Sequence, residues 1–443
     1  MGEFAKILDF GGSGDSAKDP DRIWADHYKT QYYPDTSKLI ENYKRTAFAC
    51  ANINANGCAS KEIKLFVKTK DADPITVLHT EPVEDSKQVF LRDEFEILDN
   101  EVIEEVIEHP VLTLLREVND QPFLHQYSLK ALTFLFMDIC SSAYWLIVKD
   151  AILNRPVGIW LLPSQYVFPK KESNSGKIID YYEFVNGDTQ KKYSVDEVVQ
   201  FIPLGVNNPY VEGVGPGEAS YEATQLSNKL ASMTSHLLDN EGRPDLLYSP
   251  KEPISQDTAA SLERRLNVKY SSGRSGGWHV ADEPADISPI NYPPRDIARL
   301  EINTQARDEI CNAYGTPIAF LDNRNISRET IFGALTYHAI FGIKPRLATY
   351  CGILNKRLIP FYDSSSRLFF GYDDPVPEDK EAKLQENVQL VMNGIKTPGE
   401  ARKAYKLPPI DDPDVDILQR INTPGISGDV PRQQARENGT AEK

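Results

Sequence analysis

The stretch from Asp296 to Tyr362 constrains the fold of this 443-residue chain more than any other segment. Its pattern predicts a short helix that begins near Asp296 and ends at Gly315, a residue type common just past a helix C-terminus. A second helix is predicted to begin after Ser327, a good N-cap residue, and to continue to Phe361. At about 1.5 Å per residue this second helix would reach roughly 50 Å. Pro345 removes one backbone donor, so we expect a kink there.

A polar loop separates these two helices. Asp322, Asn323, Arg324 and Asn325 follow one another in it, and Arg328 comes in the first turn of the second helix. One interpretation is ordinary surface solvation, with Arg328 paired to a nearby acid. The other is a loop tip that touches phosphates transiently, because its charges are too balanced to hold them. Few domains need a polar loop between a short helix and a very long one.

The chain is acidic, with a formal net charge of -16. That balance argues against a protein that grips nucleic-acid phosphates over its whole surface, although local contact with DNA stays possible. Residues 81–108 hold eleven acids against Lys87 and Arg92. Within them, Val102 to Ile107 looks like an apolar stripe on a solvated helix. The alternative is an electronegative surface that repels DNA or meets a basic partner.

Cysteines and apolar runs point to a chain with buried, reduced thiols. The five cysteines are odd in number and none forms a C-x-x-C motif, so we expect no disulfide framework. The most apolar stretch, Leu132 to Val148, is interrupted by Asp138 and therefore predicts a core segment, not a membrane span. The first residues contain no long apolar region, so no signal peptide is expected.

A narrow apolar stripe marks the helix predicted after Gly217. Its residues recur at spacings of four and three: Ala219, Ala223, Leu226, Leu230, Met233 and Leu237. Such a stripe suits helices packed side by side better than a helix that covers a broad core. An ordinary surface helix is the alternative.

The sequence contains no convincing catalytic centre. Residues 273–277 match the G-x-S-x-G pattern of a nucleophile elbow, with Ser275 as the nucleophile, but no helix pattern follows. His338 is the one histidine well downstream, and it falls within the long helix. The histidines show no metal-ligand spacing and no phosphate-binding loop is present, so no cofactor or metal is expected. A serine hydrolase that uses Ser275 and a monomeric assembly adaptor are the alternatives to the interpretation below.

The order of several short motifs resembles that of one known family, the portal (head–tail connector) proteins of long-tailed bacteriophages and prophages. The motifs are Asn42–Asn52, His109–Asn119, Ala143–Tyr144, Trp160–Pro163, Val195–Phe201, Asn208–Pro216, Pro345 and Thr397–Arg402. Each motif is weak alone, but their order makes the resemblance specific over roughly residues 40–410.

The resemblance implies an α+β portal fold with wing, stem helices, clip, long kinked helix, tunnel loop and small helical crown. The implied divisions are a flexible arm (1–20), wing (21–212), first stem helix (213–242), clip (243–295), second stem helix (296–316), tunnel loop (317–326), long kinked wing helix with a return strand (327–377), crown (378–410) and a disordered tail (411–443). The tunnel-loop residues would be Asp322, Asn323, Arg324, Asn325 and Arg328. Packing between subunits would use Leu226, Leu230, Met233 and Leu237.

The resemblance also implies a structural role without enzymatic activity. Portal proteins form a ring, usually of twelve subunits, at one capsid vertex, and double-stranded DNA passes through its channel without sequence specificity. The implied partners are the terminase large subunit, the head–tail adaptor, the major capsid protein and the scaffold, with no membrane. The implied location is the virion, after assembly in the host cytoplasm.

Overall fold

The computed structural model describes two compact units, Met1–Val376 and Pro377–Lys443. The residues described are 35–70, 79–98, 101–121, 124–150, 152, 154–171, 177–206, 211, 213–239, 246–250, 256–257, 260–261, 264, 285–289, 299–322, 327–363, 367–377, 379–405, 407–408 and 410. The predicted arm (1–20), the predicted tail (411–443), Asp296 and Ser275 lie outside them.

The first unit combines helices with small antiparallel sheets. Its α-helices are α1 (Thr36–Asn42), α2 (Arg45–Ala59), α3 (Asp85–Phe95), α4 (Pro110–Glu117), α5 (Gln126–Cys140), α6 (Pro216–Ala219), α7 (Tyr221–Asp239), α8 (Arg299–Tyr314), α9 (Arg328–Tyr337) and α10 (Lys344–Arg357). Short 3₁₀ turns cover Ser164–Tyr166, Ile318–Phe320 and Ile359–Phe361, and a π-helical stretch covers His338–Ile343.

The strands are β1 (Ile63–Lys70), β2 (Thr80–Pro82), β3 (Glu101–Val106), β4 (Ala143–Lys149), β5 (Pro156–Leu162), β6 (Val167–Lys170), β7 (Tyr181–Asn186), β8 (Thr189–Ser194), β9 (Val198–Phe201), β10 (Leu246–Pro250), β11 (Ala285–Pro289) and β12 (Leu368–Tyr372). They form sheets in the orders β12-β1-β3-β2, β5-β4-β9, β6-β7-β8 and β10-β11. The mixture of helix and sheet agrees with the predicted α+β class.

An aromatic core holds α5, α10 and the β4 sheet together. Trp145, Phe201 and Tyr350 are buried, and the Trp145 and Phe201 rings lie 4.6 Å apart between centroids. The Trp145 indole donates to the Thr133 hydroxyl at 2.8 Å, so its polar atom is satisfied inside the core. The apolar stretch Leu132 to Val148, predicted as a core segment, therefore contributes the end of α5 and most of β4 to this core.

One sequence interpretation in the acidic segment is wrong. Val102–Ile107 was expected on a solvated helix, but Glu101–Val106 forms strand β3, which pairs with β1 and β2. β-branched side chains favour strands, and pairing on both edges satisfies the backbone. Glu105 of this strand forms ion pairs with Lys64 (3.0 Å) and Lys87 (3.1 Å). Part of the negative charge of the segment 81–108 is therefore balanced by nearby lysines.

Helices α7 and α8 precede and follow the insert 243–295 in the sequence, and they pack directly against each other. The Ser227 hydroxyl of α7 donates to the Asn303 amide oxygen of α8 at 3.3 Å. At the start of the insert, β10 pairs antiparallel with β11, with Leu246 opposite Pro289. The sequence did not predict this pair, which joins the two ends of the insert next to the helices.

The second unit has two described helices, α11 (Lys380–Met392) and α12 (Pro398–Ala404). A capping box begins α12. The Thr397 hydroxyl accepts from the Glu400 amide at 3.1 Å, and the Glu400 carboxylate accepts from the Thr397 amide at 2.9 Å. Leu384 and Val388 are exposed on α11.

Candidate functional site

The loop that follows α8 begins at a well-formed helix C-cap. Gly315 has a φ of 65°, which glycine adopts without steric cost. The Thr316 amide donates to the Cys311 carbonyl at 2.9 Å, and the Gly315 amide donates to the Asn312 carbonyl at 3.1 Å. This double closure is the Schellman arrangement. It confirms the predicted end of the helix at Gly315.

Beyond this cap the loop makes a 3₁₀ turn, and its far end starts α9. The Asp322 carboxylate lies 3.7 Å from the Arg307 guanidinium of α8. The Ser327 hydroxyl accepts from the Thr330 amide at 3.2 Å, so the predicted N-cap is confirmed. The loop therefore leaves and re-enters helices whose ends are fixed by local hydrogen bonds.

The structure describes two of the five residues predicted to face DNA. Asp322 is half-buried, and Arg328 is exposed in the first turn of α9. Asn323, Arg324 and Asn325 lie outside the described residues. Their assignment stays a prediction, as does that of Asp322 and Arg328.

A buried amide from α2 contacts the chain on both sides of the loop. Asn54 is fully buried. Its Nδ2 donates to the Tyr314 carbonyl at 2.8 Å, and its Oδ1 accepts from the Thr316 hydroxyl at 3.1 Å. The same Oδ1 lies 2.7 Å from His338 Nε2, so the neutral imidazole donates from that nitrogen. Asn54 thus joins the end of α8 to the long helix.

A buried ion pair lies beside this amide. The Arg346 guanidinium donates to both carboxylate oxygens of Asp138, at 2.9 and 3.0 Å. It also donates to the carbonyls of Gly342 (2.6 Å) and Tyr314 (3.2 Å). Burial alone would lower the pKa of Arg346, but attraction to Asp138 raises it overall. We call the side chains of Asn54, Asp138, Thr316, His338 and Arg346 the junction cluster.

The long helix changes its hydrogen-bond pattern where it passes the junction cluster. The π-helical stretch His338–Ile343 follows α9, and Pro345 is the second residue of α10. Proline has no amide hydrogen for the Phe341 carbonyl one turn earlier. Because π-helical stretches are rare and often occur at functional sites, this one makes the junction a candidate functional site. The kink at Pro345 stays a prediction.

Two glycines allow α8 and the π-helical stretch to approach closely. A Cβ on Gly342 would lie 2.6 Å from His338 Cδ2 and 3.3 Å from the Gly315 carbonyl oxygen. No side chain fits there without displacing the imidazole. The close approach of the two segments therefore requires glycine at position 342.

His338 is held neutral in its buried place. Burial lowers its pKa to about 4, and the nearby positive charge of Arg346 contributes in the same direction. The Phe320 ring of the loop lies edge-on to the imidazole, with centroids 5.3 Å apart and planes at 89°. The loop consequently contacts the junction cluster through an aromatic side chain as well as through Thr316.

The residue that follows α5 also contacts the start of α6. The Ser141 hydroxyl donates to the Glu218 carboxylate at 2.7 Å and accepts from the Gly215 amide at 2.8 Å. Burial raises the pKa of Glu218, and the Ser141 hydrogen bond opposes that rise. The carboxyl end of α5 thus contacts the start of α6 through Ser141, while Asp138 pairs with Arg346, whose guanidinium also donates to the Tyr314 carbonyl at the end of α8.

The predicted stem stripe is largely uncovered in the single chain. Leu226 and Met233 are 43% and 41% exposed, and Leu230 is half-buried. The side chain of Leu237 lies outside the described residues. Ala223 of the stripe is buried, as are Thr224 and Ser227 nearby. The apolar side chains further along α7 therefore have little cover from their own chain.

A second uncovered apolar strip follows the long helix. Ile331 and Leu335 are each 44% exposed, and Phe341 in the π-helical stretch is 60% exposed. Tyr337 packs against Phe341 with centroids 4.8 Å apart, yet it too is exposed. Because these apolar side chains lie together on one helix, they form a patch that is a candidate for contact with another molecule.

Three features outside the junction cluster concern metals, membranes and thiols. Within the described ranges, no group of three or more His, Cys, Asp or Glu side chains could hold a metal ion. No helix in those ranges is both long and apolar enough to cross a membrane. All five cysteines are buried and free.

The fold is shared with chains from the necks of gene transfer agent particles. A chain from the neck of an empty gene transfer agent particle matches with a TM-score of 0.55 and 17% identity, over 86% of this chain and 96% of that one. A chain from the neck of the native particle matches with a TM-score of 0.54 and 16% identity, over 88% and 99%. At these identities the likeness shows the fold.

Sequence comparison identifies the family. The portal protein of Escherichia phage T5 is 24% identical over 350 residues, which are 74% of this chain and 78% of that protein. The family description "Phage portal protein" matches residues 94–405. The chain belongs to the phage portal protein family, and the resemblance read from its motifs is confirmed. Its role is that of a structural portal component of a phage particle.

Proposed function

We propose that this chain assembles into a closed ring of about twelve copies around a channel for double-stranded DNA. One of the structural neighbours is a neck computed with C12 symmetry and another a neck computed with C6 symmetry, which supports a ring. The ring would sit at one capsid vertex of the virion, after assembly in the host cytoplasm. DNA would enter through it during packaging and leave through it at ejection.

The uncovered apolar face of α7 carries this proposal. Leu226 and Met233 are exposed although apolar, and they recur at heptad spacing with Leu230 between them. A helix with a narrow apolar stripe is stabilised when a second helix covers it. In a ring, the same stripe would be covered once per subunit by a neighbouring copy. The strip of Ile331, Leu335 and Phe341 adds a second surface of the same kind.

The remaining divisions keep the roles that the family implies. Residues 213–242 and 296–316 would be the stem helices, and 243–295 the clip that meets the terminase large subunit and later the head–tail adaptor. Residues 21–212 and 327–377 would form the wing, near the major capsid protein and the scaffold, and 378–410 the crown. ATP hydrolysis would belong to the terminase, and the portal would act without enzymatic chemistry.

Residues 317–326 would form the tunnel loop that meets the passing DNA. Asp322 is balanced by Arg307 on α8, and Arg324 and Arg328 add positive charge near the loop. A ring that gripped many phosphates would slow DNA, because each neutralised phosphate adds to the binding energy. The net charge of -16 per chain suits a channel that lets DNA slide.

Native mass measurement with negative-stain imaging of the purified chain tests the ring. We expect closed rings of about twelve copies, like the C12 neck, with a central hole. A protein that remains a monomer with scaffold and capsid protein present would contradict the proposal. That outcome would favour the monomeric adaptor. Ester hydrolysis that disappears in a Ser275→Ala variant with its assembly intact would instead favour the serine hydrolase.

Variants of the loop test the contact with DNA. Arg324→Glu, or deletion of residues 320–326, should leave ring formation intact and impair DNA packaging, because the loop would no longer face phosphates with its own charge balance. Arg116→Glu on the exposed side of α4 is a matched charge reversal that should package normally. Normal packaging by rings that lack the loop would refute the tunnel-loop assignment.

A further inference from the structure

We propose that Asn54 is a positioning residue that holds the loop between α8 and α9 at a fixed point, and that DNA packaging requires this restraint. The need for the restraint in packaging rests on the proposed portal role. The restraint itself is a property of the chain and can be measured without DNA.

Asn54 reaches both sides of the loop with a single side chain. On the side where the chain leaves α8, it bonds the Tyr314 carbonyl and the Thr316 hydroxyl. On the returning side it bonds the His338 imidazole of the long helix. An amide can do this because it offers two donors and an acceptor with two lone pairs. The segment from 317 to 337 is thereby closed at its base by a residue from another helix.

The surroundings of Asn54 make the side chain hard to replace. Its Nδ2 lies 3.3 Å from an oxygen of Asp138, and that carboxylate is itself held by Arg346. A carboxylate at position 54 would keep the shape and the acceptor. It would lose both donors and bring a second negative charge against Asp138 inside the protein. Asn54→Asp is therefore a change of a few atoms that opens one side of the restraint.

Helix α2 provides a matched control two residues away. Asn56 is exposed, and its Oδ1 accepts from the Tyr127 hydroxyl at 2.8 Å. Asn56→Asp makes the same chemical change on the same helix, and the new carboxylate can still accept that hydrogen bond. Any effect of charge on α2 in general will appear in both variants, whereas loss of the restraint will appear only in Asn54→Asp.

Amide hydrogen exchange of the assembled protein measures the restraint. In Asn54→Asp we expect the peptide that covers residues 315–322 to exchange about tenfold faster or more, because buried bonds that close the loop are lost. Strand β4, in the aromatic core, should exchange as in the parent chain. Asn56→Asp should match the parent chain in both regions. Equal acceleration in β4 and the loop would reduce Asn54 to an ordinary core residue and overturn the proposal.

A double variant tests whether position 54 acts through its partner. In Asn54→Asp combined with Asp138→Asn, the amide and the carboxylate exchange places. The new amide at 138 can donate to the carboxylate at 54 and accept from Arg346, and the cluster keeps one negative charge. We expect loop exchange and DNA packaging to return only part of the way to the parent values, because the repulsion between positions 54 and 138 is relieved while the Tyr314 carbonyl still lacks its donor. A double variant no better than Asn54→Asp would contradict a positioning role.

Packaging efficiency separates the two halves of the proposal. Rings of Asn54→Asp should form in normal yield and package several-fold less DNA than rings of Asn56→Asp. Fast loop exchange with normal packaging would overturn the requirement in DNA passage. If rings of the parent chain support no packaging at all, the proposed DNA-conduit function fails, and the exchange result still decides the restraint.

A milder variant covers the case in which Asn54→Asp does not fold. Thr316→Val removes the hydroxyl donor and retains the shape of the side chain. It should accelerate exchange only in the peptide covering 315–322, by a smaller factor. Unchanged exchange in that variant would mean that the Thr316 bond does not restrain the loop.

Discussion

The junction cluster and the apolar face of the predicted stem helix α7 (Leu226, Leu230 and Met233, called the stem face) differ in how their side chains are satisfied. At the junction, Asn54 and Asp138 are buried and Arg346 is half-buried, and each is hydrogen-bonded within the chain. On the stem face, Leu226 and Met233 are apolar and exposed. A polar group buried without a partner is costly, so the junction is complete in one chain. The side chains of an exposed apolar stripe are removed from water only when another surface covers them.

The side chains of the junction cluster are therefore satisfied within one chain, whereas those of the stem face would be covered only on assembly. The hydrogen bonds at the base of the loop, at Tyr314, Thr316 and His338, are made within one chain. In the proposed ring, the apolar face of α7 would be covered by a neighbouring copy. Substitutions at the junction should therefore act on the stability of one chain, whereas substitutions on the stem face should act on association.

The largest effect is expected for Arg346→Met. Removing the guanidinium leaves Asp138 buried without its partner, which costs about 3–5 kcal/mol in free energy of unfolding. Arg307→Met is the matched control, because its pairs with Asp308 and Asp322 are more exposed, and about 0–1 kcal/mol is expected there. Urea unfolding of both variants measures the contrast. A cost below 1 kcal/mol for Arg346→Met would remove the distinction between junction and stem.

A dependence on pH should come from His338. Its pKa is about 4 in the folded chain, below the ordinary value of 6.5. The folded state therefore binds fewer protons than the unfolded state between these values. The contribution of neutral His338 to the free energy of unfolding is therefore fully present above pH 6.5. It is lost as the pH falls towards 4, by up to about 3 kcal/mol.

The variant His338→Gln tests this contribution. It should remove that part of the slope of unfolding free energy against pH, since glutamine does not titrate. His125→Gln, at an exposed position, should retain the slope. Identical slopes for the parent chain and His338→Gln between pH 4 and 6.5 would be the contrary result.

Polar replacements on the stem face should weaken assembly with little effect on the chain itself. Leu226→Ser or Met233→Ser each removes about 1.5–3 kcal/mol of apolar burial per interface. The population should shift from rings to smaller species in native mass measurements, while unfolding of the single chain changes within about 0.5 kcal/mol. Ser232→Ala, exposed on α7 but outside the stripe, is the control. Unchanged rings would show that this face is not the interface.

The smallest effect on assembly is expected from locking α2 to α8 by a disulfide. Cys50 and Cys311 are buried with their sulfurs 3.9 Å apart. The hydrogen bond from the Cys50 thiol lowers the pKa of Cys311, which favours attack by its thiolate on an oxidised partner. A thiol oxidant such as diamide should form one intramolecular bond that is absent in Cys311→Ser and retained in Cys351→Ser. Rings should persist after oxidation, and their dissociation would mean that α8 must move against α2 on assembly.

Much of the fold could be predicted because local chemistry decided it. Gly315 ended α8 through a left-handed C-cap, Ser327 capped α9, and Thr397 with Glu400 formed the capping box. Each of these depends on residues within a few positions of one another. The motif order that identified the family was likewise readable without coordinates.

The prediction failed where distant strands or helices decided the outcome. The segment from Val102 to Ile107 was interpreted as a helix because its spacing suited one, whereas pairing with β1 and β2 made it a strand. The π-helical stretch before Pro345 left no clear trace in the sequence. It depends on Gly342 meeting the end of α8, which is remote along the chain.

The junction cluster itself was missed, although one signal was present. Asp138 interrupts the apolar run of α5, and a charge in such a run predicts a buried partner. The sequence could not identify that partner, because Arg346 lies more than 200 positions away and Asn54 stands in a helix of small residues. His338 was considered only as a possible catalytic base. Its place beside Asn54 required the fold.

The β10–β11 pair makes the insert between α7 and α8 a replaceable segment. Leu246 lies opposite Pro289 and Pro250 opposite Ala285, so whatever chain runs between them starts and finishes at adjacent points, about 5 Å apart. Insertions and deletions there need not alter the spacing of α7 and α8. If this insert is the clip, as proposed, its exchange would adapt the protein to a new docking partner while the two helices keep their packing. A foreign segment could be grafted at the same two positions.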